Sequence, residues 1–210
     1  MTGERYGKDD LVRDLALTPA QAERLETHRA LLAEWSQRMN LVGPKELEAY
    51  WRRHALDCGQ LVRLAPGARR WADLGSGAGF PGLIIAALIA DLPGAQVDLV
   101  ESTGKKAAFL REAARAMGAP ARVFQQRIED FGAGDGAYDV VTARALAPLP
   151  RLTLYAKPIL DRGAQGLFLK GAELDAELAA AGLRDGGAYK ADVMESASDP
   201  RGSVLRLTRR

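Results

Sequence analysis

The chain has 210 residues, of which 47% are hydrophobic and 27% are charged, as expected for one globular domain with at most a short extension. Its single cysteine, Cys58, excludes an internal disulfide framework, and with only two histidines beside it no structural zinc site is expected. The net charge of +2 does not itself indicate nucleic acid. The excess of 22 arginines over 7 lysines suits phosphate and base recognition, although a GC-rich genome would give the same bias.

The first 66 residues are predicted to form a helical lead-in. Thr18, followed by proline, is typical of a helix start, and apolar residues then recur at three- and four-residue spacing as far as Met39. We therefore expect one amphipathic helix that ends near residue 43, and a second over residues 45–64. This lead-in is predicted to pack on a catalytic domain formed by residues 67–210.

From Arg70 onward, short apolar runs alternate with longer stretches rich in alanine and leucine. The predicted strands cover residues 71–74, 96–101, 122–125, 138–142, 166–170, 189–194 and 203–208. The predicted helices cover residues 82–90, 105–117 and 173–181. This alternation predicts an α/β Rossmann-like fold with a mostly parallel seven-stranded sheet and helices on both faces, and the last two strands predict an antiparallel hairpin at one edge.

A glycine-rich turn, DLGSGAGFPG at residues 73–82, joins the first predicted strand to its helix, where an open α/β sheet binds its ligand. Gly77, Gly79 and Gly82 match the dinucleotide fingerprint, but dinucleotide turns usually carry an apolar residue in place of Asp73. A carboxylate there favours a cationic ligand. We therefore predict S-adenosylmethionine, with its amino-acid portion held by Asp73 and by the backbone from Gly75 to Gly79.

Two further acidic positions suit a nucleoside. Glu101 ends the second predicted strand, where a carboxylate accepts hydrogen bonds from ribose hydroxyls; a helix-capping role for Glu101 is the alternative. Ile128 and Glu129 follow the third strand, where an apolar wall and an acidic group would hold adenine, and a purely structural role there is equally open.

Several separate segments together resemble the bacterial 16S ribosomal RNA (guanine-N7) methyltransferase G family, also called glucose-inhibited division protein B. The resemblance spans roughly residues 30 to 171. It rests on LLAEW at 31–35, MNLV at 39–42, RHALD at 53–57, DLGSGAGFPG at 73–82, VESTGKK at 100–106 with Phe109 and Leu110, TARA at 142–145, and LKG at 169–171. Cys58 departs from the family, in which serine usually follows Asp57.

The resemblance implies methyl transfer from S-adenosylmethionine to nitrogen 7 of a guanine in 16S rRNA, with S-adenosylhomocysteine as product. It also implies that the S-adenosylmethionine site includes five residues that match family positions, namely Gly75, Phe80, Ile128, Glu129 and Arg144. From the residues themselves we add Asp73, Gly77, Gly79 and Glu101. The family's arginine lies near the methyl group and the incoming base, so Arg144 is the predicted catalytic residue.

Guanine N7 carries an in-plane lone pair and no proton, so its methylation requires no general base. Two other methylation reactions are disfavoured. Methylation of an exocyclic amine usually requires an Asn/Asp-Pro-Pro-aromatic segment, which residues 142–145 lack. Methylation of pyrimidine carbon 5 requires a cysteine nucleophile, and Cys58 is expected outside the active-site loops. Arg144 suits guanine because a guanidinium forks onto oxygen 6. Clustered cations are predicted to contact RNA phosphates, namely Arg53, His54, Lys105, Lys106 and Lys170.

The predicted partner is 16S rRNA or the small ribosomal subunit, and we expect a cytoplasmic monomer with no obligate protein partner. No signal peptide is expected at the N-terminus, and the apolar run at 82–90 is less than half a membrane span. Three other functions are weighed: a small-molecule methyltransferase, a nicotinamide-dependent oxidoreductase using the Gly77 turn, and an RNA-binding module without turnover.

Overall fold

A computed structural model of the chain describes residues 6–132, 136–184 and 187–210. Seven strands form one sheet in the order β3-β2-β1-β4-β5-β7-β6. The strands are β1 (Arg70–Leu74), β2 (Gln96–Val100), β3 (Ala121–Phe124), β4 (Val140–Arg144), β5 (Gln165–Lys170), β6 (Tyr189–Glu195) and β7 (Ser203–Arg209). The first five run parallel, and β7 pairs antiparallel with both β5 and β6. The predicted fold class and its antiparallel edge are confirmed.

Helices precede and flank the sheet. They are α1 (Lys8–Leu15), α2 (Pro19–Arg38), α3 (Pro44–Glu48), a π-helical segment (Tyr50–Leu56), α4 (Asp57–Leu64), α5 (Gly82–Ile89), α6 (Gly104–Ala116), α7 (Ile128–Phe131), α8 (Leu149–Leu160) and α9 (Leu174–Ala180). As predicted, α2 begins after Thr18: the Thr18 hydroxyl accepts from the Gln21 amide, and the Gln21 side chain accepts from the Thr18 amide.

The single helix predicted over residues 45–64 is wrong, because this stretch is α3, the π-helical segment and α4 in succession. Two helices, α7 and α8, were not predicted from the sequence, and α1 lies in the predicted helical lead-in without having been given bounds of its own. In α8, prolines hide the helical pattern: Pro150 lies in the first turn, where a missing amide costs nothing, and Pro158 lies near the end.

The core lies on both faces of the sheet because alternate residues of each strand point in opposite directions. On one face, Trp71 packs in a cluster that joins α5 and α6 to lead-in residues such as Leu25 and Leu32. On the other face, Leu74 packs in a cluster with α8 and α9. Within the described ranges, no helix is both long and apolar enough to cross a bilayer.

Candidate active site

The turn after β1 depends on its glycines. Gly75, Gly77 and Gly79 have φ angles of +73°, +55° and +87°, a left-handed conformation that favours glycine. Gly82 is required for packing instead, because a Cβ there would lie 2.3 Å from Leu99 Cδ2 and 2.6 Å from Asp73 Oδ2. The backbone of the turn is therefore held close to the carboxyl ends of β1 and β2.

A first cavity, of about 430 Å³, opens beside this turn between the ends of β2 and β4. This volume is within the range of small-molecule sites. Its lining includes six of the predicted residues, Gly75, Gly77, Glu101, Lys106, Ile128 and Glu129, and also Arg127, Arg151 and Tyr155, which the sequence did not indicate. Lys106, predicted to contact RNA, thus lies on the wall of this cavity, whereas the exposed Lys105 does not line it.

Glu101 has both structural and ligand-binding capacity. Its Oε2 accepts from the Gly77 amide at 3.0 Å and its Oε1 from the Thr103 amide at 2.7 Å, where Thr103 caps α6. The N-cap residue of α6 is Thr103 and not Glu101, so Glu101 holds the turn and the loop before the helix and is not the helix-capping carboxylate of the alternative. A carboxylate has about four lone-pair sites, so two remain for hydroxyl groups in the cavity.

Asp73 lies beneath the turn rather than on the cavity wall. Its Oδ2 accepts from the Gly82 amide at 3.1 Å, whereas Oδ1 is buried without a hydrogen-bond partner. Burial raises the pKa of this carboxyl from 3.8 to about 7. A buried oxygen without a partner can accept a hydrogen bond from a cationic group, which agrees with the predicted ligand.

Asp73 is expected to make the free energy of unfolding fall as pH rises from about 4 to about 7. In that window the Asp73 carboxyl is ionised in the unfolded chain but still protonated in the folded chain. The free energy of unfolding therefore falls by up to about 1.4 kcal/mol for each pH unit. Denaturant unfolding across this range should give a flatter profile for Asp73→Asn than for the wild type. The exposed Asp9→Asn serves as control, and parallel profiles for Asp73→Asn and wild type would refute the shift.

A second cavity, of about 450 Å³, adjoins the first, and the two share Ala145. Ala145 has φ +50°, so the backbone turns sharply where the cavities meet. The second cavity is lined by basic side chains, acidic side chains and backbone. Its lining includes the cations Arg53, Arg144, Lys170 and Arg201, the acidic residues Asp57 and Asp199, and Gly171.

The Arg144 guanidinium is held by residues of the lead-in. Its Nη1 donates to His54 Nδ1 at 2.9 Å, and its Nε lies 3.7 Å from Asp57 Oδ2. The guanidinium carbon lies 5.8 Å from the centre of the Phe80 ring, which stacks on His54 at 4.3 Å. Of the two residues predicted at the cofactor, Arg144 thus lines the second cavity, whereas Phe80 lies beside it and lines neither cavity.

His54 is a neutral acceptor. Burial, followed by the charges of Arg144 and Arg53, lowers its pKa to about 3. Its side chain is only 6% exposed, and its Nε2 lies 3.2 Å from Glu46 Oε2, without hydrogen-bond geometry. The predicted RNA contact of His54 therefore stays a prediction, and its placement favours an indirect role through Arg144.

Cys58 corrects one prediction from the sequence. It was expected outside the active-site loops, but Arg144 Nη1 lies 3.7 Å from its Sγ. The error arose because the lead-in precedes the glycine turn in the chain yet packs against it in space. Burial raises the pKa of the thiol to about 12, so it is not an available nucleophile.

The cations around the second cavity differ in exposure, and Arg201 is one that was not predicted from the sequence. Lys170 is only 9% exposed and pairs with Glu177 at 2.5 Å, whereas the Arg53 and Arg201 side chains are 63% and 82% exposed. Asp57, which the sequence analysis names only within the RHALD motif, lines the second cavity and was not predicted as a site residue. Its one sequence signal is its spacing three residues after His54.

Comparison with known proteins decides the family. The model of the rRNA small subunit methyltransferase G family matches residues 21–184. The chain belongs to this family. A ribosomal RNA small subunit methyltransferase G of Parvibaculum lavamentivorans is 52% identical, over 88% of this chain and 81% of that protein. A namesake from Caulobacter vibrioides is 45% identical, over 91% and 87%.

Solved structures support the fold of this methyltransferase G family member. An S-adenosylmethionine-dependent methyltransferase of Aquifex aeolicus gives a TM-score of 0.57 at 14% identity, covering 82% of this chain and 96% of that one. A variant of MtNAS in complex with S-adenosylmethionine gives 0.59 at 15% identity, covering 99% and 85%. The predicted family is confirmed, and with it the predicted cofactor of this methyltransferase family, S-adenosylmethionine.

Proposed function

We propose that this protein methylates nitrogen 7 of a guanine in 16S rRNA of the small ribosomal subunit, in the cytoplasm, as a monomer. The observation that carries the proposal is the meeting of two cavities at Ala145, with Arg144 beside the junction. The first cavity offers the Glu101 carboxylate for ribose hydroxyls. The second offers a guanidinium for the acceptor base.

Bound S-adenosylmethionine supplies an electrophilic methyl group. The task of the protein is then to align the acceptor and to provide a fixed electrostatic environment. Two of the titratable groups that contact Arg144 agree with a reaction that needs no general base. His54 is neutral and accepts from Arg144, and the Cys58 thiol stays protonated because of its burial.

Arg144 is suited to orient guanine. Its Nη1 is engaged by His54 and its Nε faces Asp57, whereas Nη2 makes no hydrogen bond to any described residue. A planar guanidinium with a free nitrogen can donate to the guanine oxygen 6 and leave nitrogen 7 open. In this proposal Arg144 is the catalytic residue because it contacts the reacting base.

Arg53 is expected to contribute to RNA affinity in a salt-dependent way. Arg53→Gln should weaken binding to 16S rRNA and make the slope of log affinity against log salt shallower by about 0.7, the value for one phosphate contact on a single strand. Filter binding over a range of salt concentrations measures the slope. Lys190→Gln removes an exposed cation from β6, away from both cavities, and should leave the slope unchanged. An equal effect of the two substitutions would contradict the assignment.

The function is tested by transferring labelled methyl from S-adenosylmethionine to small ribosomal subunits from cells that lack this gene. Subunits from wild-type cells are the control. Label that enters only the deficient subunits and is released as 7-methylguanine supports the proposal. Absence of label, although the cofactor binds, would refute it, and naked RNA and small-molecule acceptors would then be tested in the same assay.

A further inference from the structure

The connection between β6 and β7, residues 196–202, reaches back to the start of α4. The Ser196 hydroxyl donates to Asp57 Oδ1 at 3.0 Å, and the Ser198 hydroxyl donates to the same oxygen at 2.7 Å. The two hydroxyl oxygens are 3.0 Å apart. The β6–β7 connection thereby contacts Asp57, the residue that faces Arg144.

Further hydrogen bonds hold this connection against the lead-in. Gln60 Nε2 donates to the Asp57 carbonyl at 2.8 Å and lies 3.2 Å from both Asp57 Oδ1 and the Ser196 hydroxyl, and Gln60 Oε1 accepts from the Ala197 amide at 2.9 Å. Arg52 Nε donates to the Ser198 carbonyl at 3.0 Å. Gln60 and Ser198 are both buried as residues, and Asp57 and Ser198 lie on the wall of the second cavity.

These bonds determine the orientation of the Asp57 carboxylate. Oδ1 accepts hydrogen bonds from two hydroxyls, with Gln60 Nε2 also 3.2 Å away, and Oδ2 is left facing Arg144 Nε at 3.7 Å. With Oδ1 held in this way, the carboxyl group cannot rotate without breaking them. His54 contacts the other side of the guanidinium.

We propose that Asp57, Ser196 and Ser198 are positioning residues that fix the Arg144 guanidinium at the junction of the two cavities. The proposal rests on the proposed function, in which Arg144 orients the acceptor guanine. It assigns a role in turnover to the β6–β7 connection, which lies outside the Rossmann core. A site in which one group is misplaced by about 1 Å can lose about 10²-fold in rate.

The contacts favour positioning over simple attachment of the hairpin. Buried polar networks add little stability compared with apolar packing of the same volume. The β6–β7 hairpin is already held in the sheet by its pairing with β5. The Asp57 network instead converges on a guanidinium whose only other nitrogen contacts among the described residues are His54 and Cys58.

The test uses full-length Ser196→Ala/Ser198→Ala protein, with the single variant Ser198→Ala in case the double variant does not fold. Ser203→Ala, in the same hairpin but outside both cavities, is the matched control. The double variant should lower kcat for small subunits by about tenfold or more, with KM and cofactor affinity within about twofold of wild type. A purely structural role would instead lower thermal stability and cofactor binding together.

A second readout does not depend on methyl transfer. Nitrogen-15 spectra report the Arg144 Nε and Nη signals, identified by their loss in Arg144→Lys. These signals should shift and exchange faster with water in the serine variants but not in Ser203→Ala. Unchanged turnover, or unchanged Arg144 signals, would overturn the proposal. If the wild type itself fails to methylate the subunits, the proposed function is refuted, and the nitrogen signals alone decide whether the network positions Arg144.

Discussion

Arg144→Ala is expected to lower kcat for methyl transfer by about 10²- to 10³-fold, the loss seen when one preorganised donor is removed from an active site. Affinity for 16S rRNA should change by only a fewfold, because the exposed Arg53 and Arg201 side chains remain. Affinity for the cofactor should also be retained, since Arg144 lines the second cavity and not the first. Single-turnover transfer to deficient small subunits, together with separate binding assays, measures the three quantities.

Two companion variants make the Arg144 result specific. Arg144→Lys keeps the charge but not the planar fork, so it should restore little activity. Arg24→Ala removes an arginine from α2 that pairs with Asp91 away from both cavities, and its activity should equal that of the wild type. If Arg144→Ala lowered RNA affinity as much as kcat, Arg144 would be an RNA anchor rather than the catalytic residue.

Glu101→Gln is expected to raise the Kd for S-adenosylmethionine by about 10- to 100-fold, the effect of losing a hydrogen bond to a charged group. The amide that replaces one oxygen cannot accept, so either the bond to the Gly77 or Thr103 amide or the bond to a ribose hydroxyl is lost. Calorimetric titration of cofactor into each variant measures the Kd.

The structural part of the Glu101 effect is separable from the binding part. Thermal unfolding of the free protein reports the loss of the loop bonds, whereas the stabilisation added by cofactor reports ligand contact. Glu112→Gln, which weakens a carboxylate bond to Trp35 outside the first cavity, should leave the Kd unchanged. An unchanged Kd for Glu101→Gln would refute the ribose assignment.

The strands and the longer helices could be predicted because their signals are local. Apolar periodicity and caps such as Thr18 identify α2, and short apolar runs bounded by glycine identify the parallel strands. The π-helical segment, Tyr50–Leu56, could not be predicted in this way. A π-helical turn has i→i+5 hydrogen bonds and no local sequence signature, and its position depends on packing of Tyr50 against His28 and of His54 against Arg144.

The sequence by itself determined the family, the sheet and the glycine turn with Glu101, because each depends on neighbouring residues whose conformational needs are visible in the chain. Only the tertiary structure decided what surrounds Arg144. His54 lies 90 positions before it, and the Ser198 hydroxyl reaches Asp57 across 141 positions. No local pattern encodes such a contact, since it arises where the lead-in and the β6–β7 hairpin pack together.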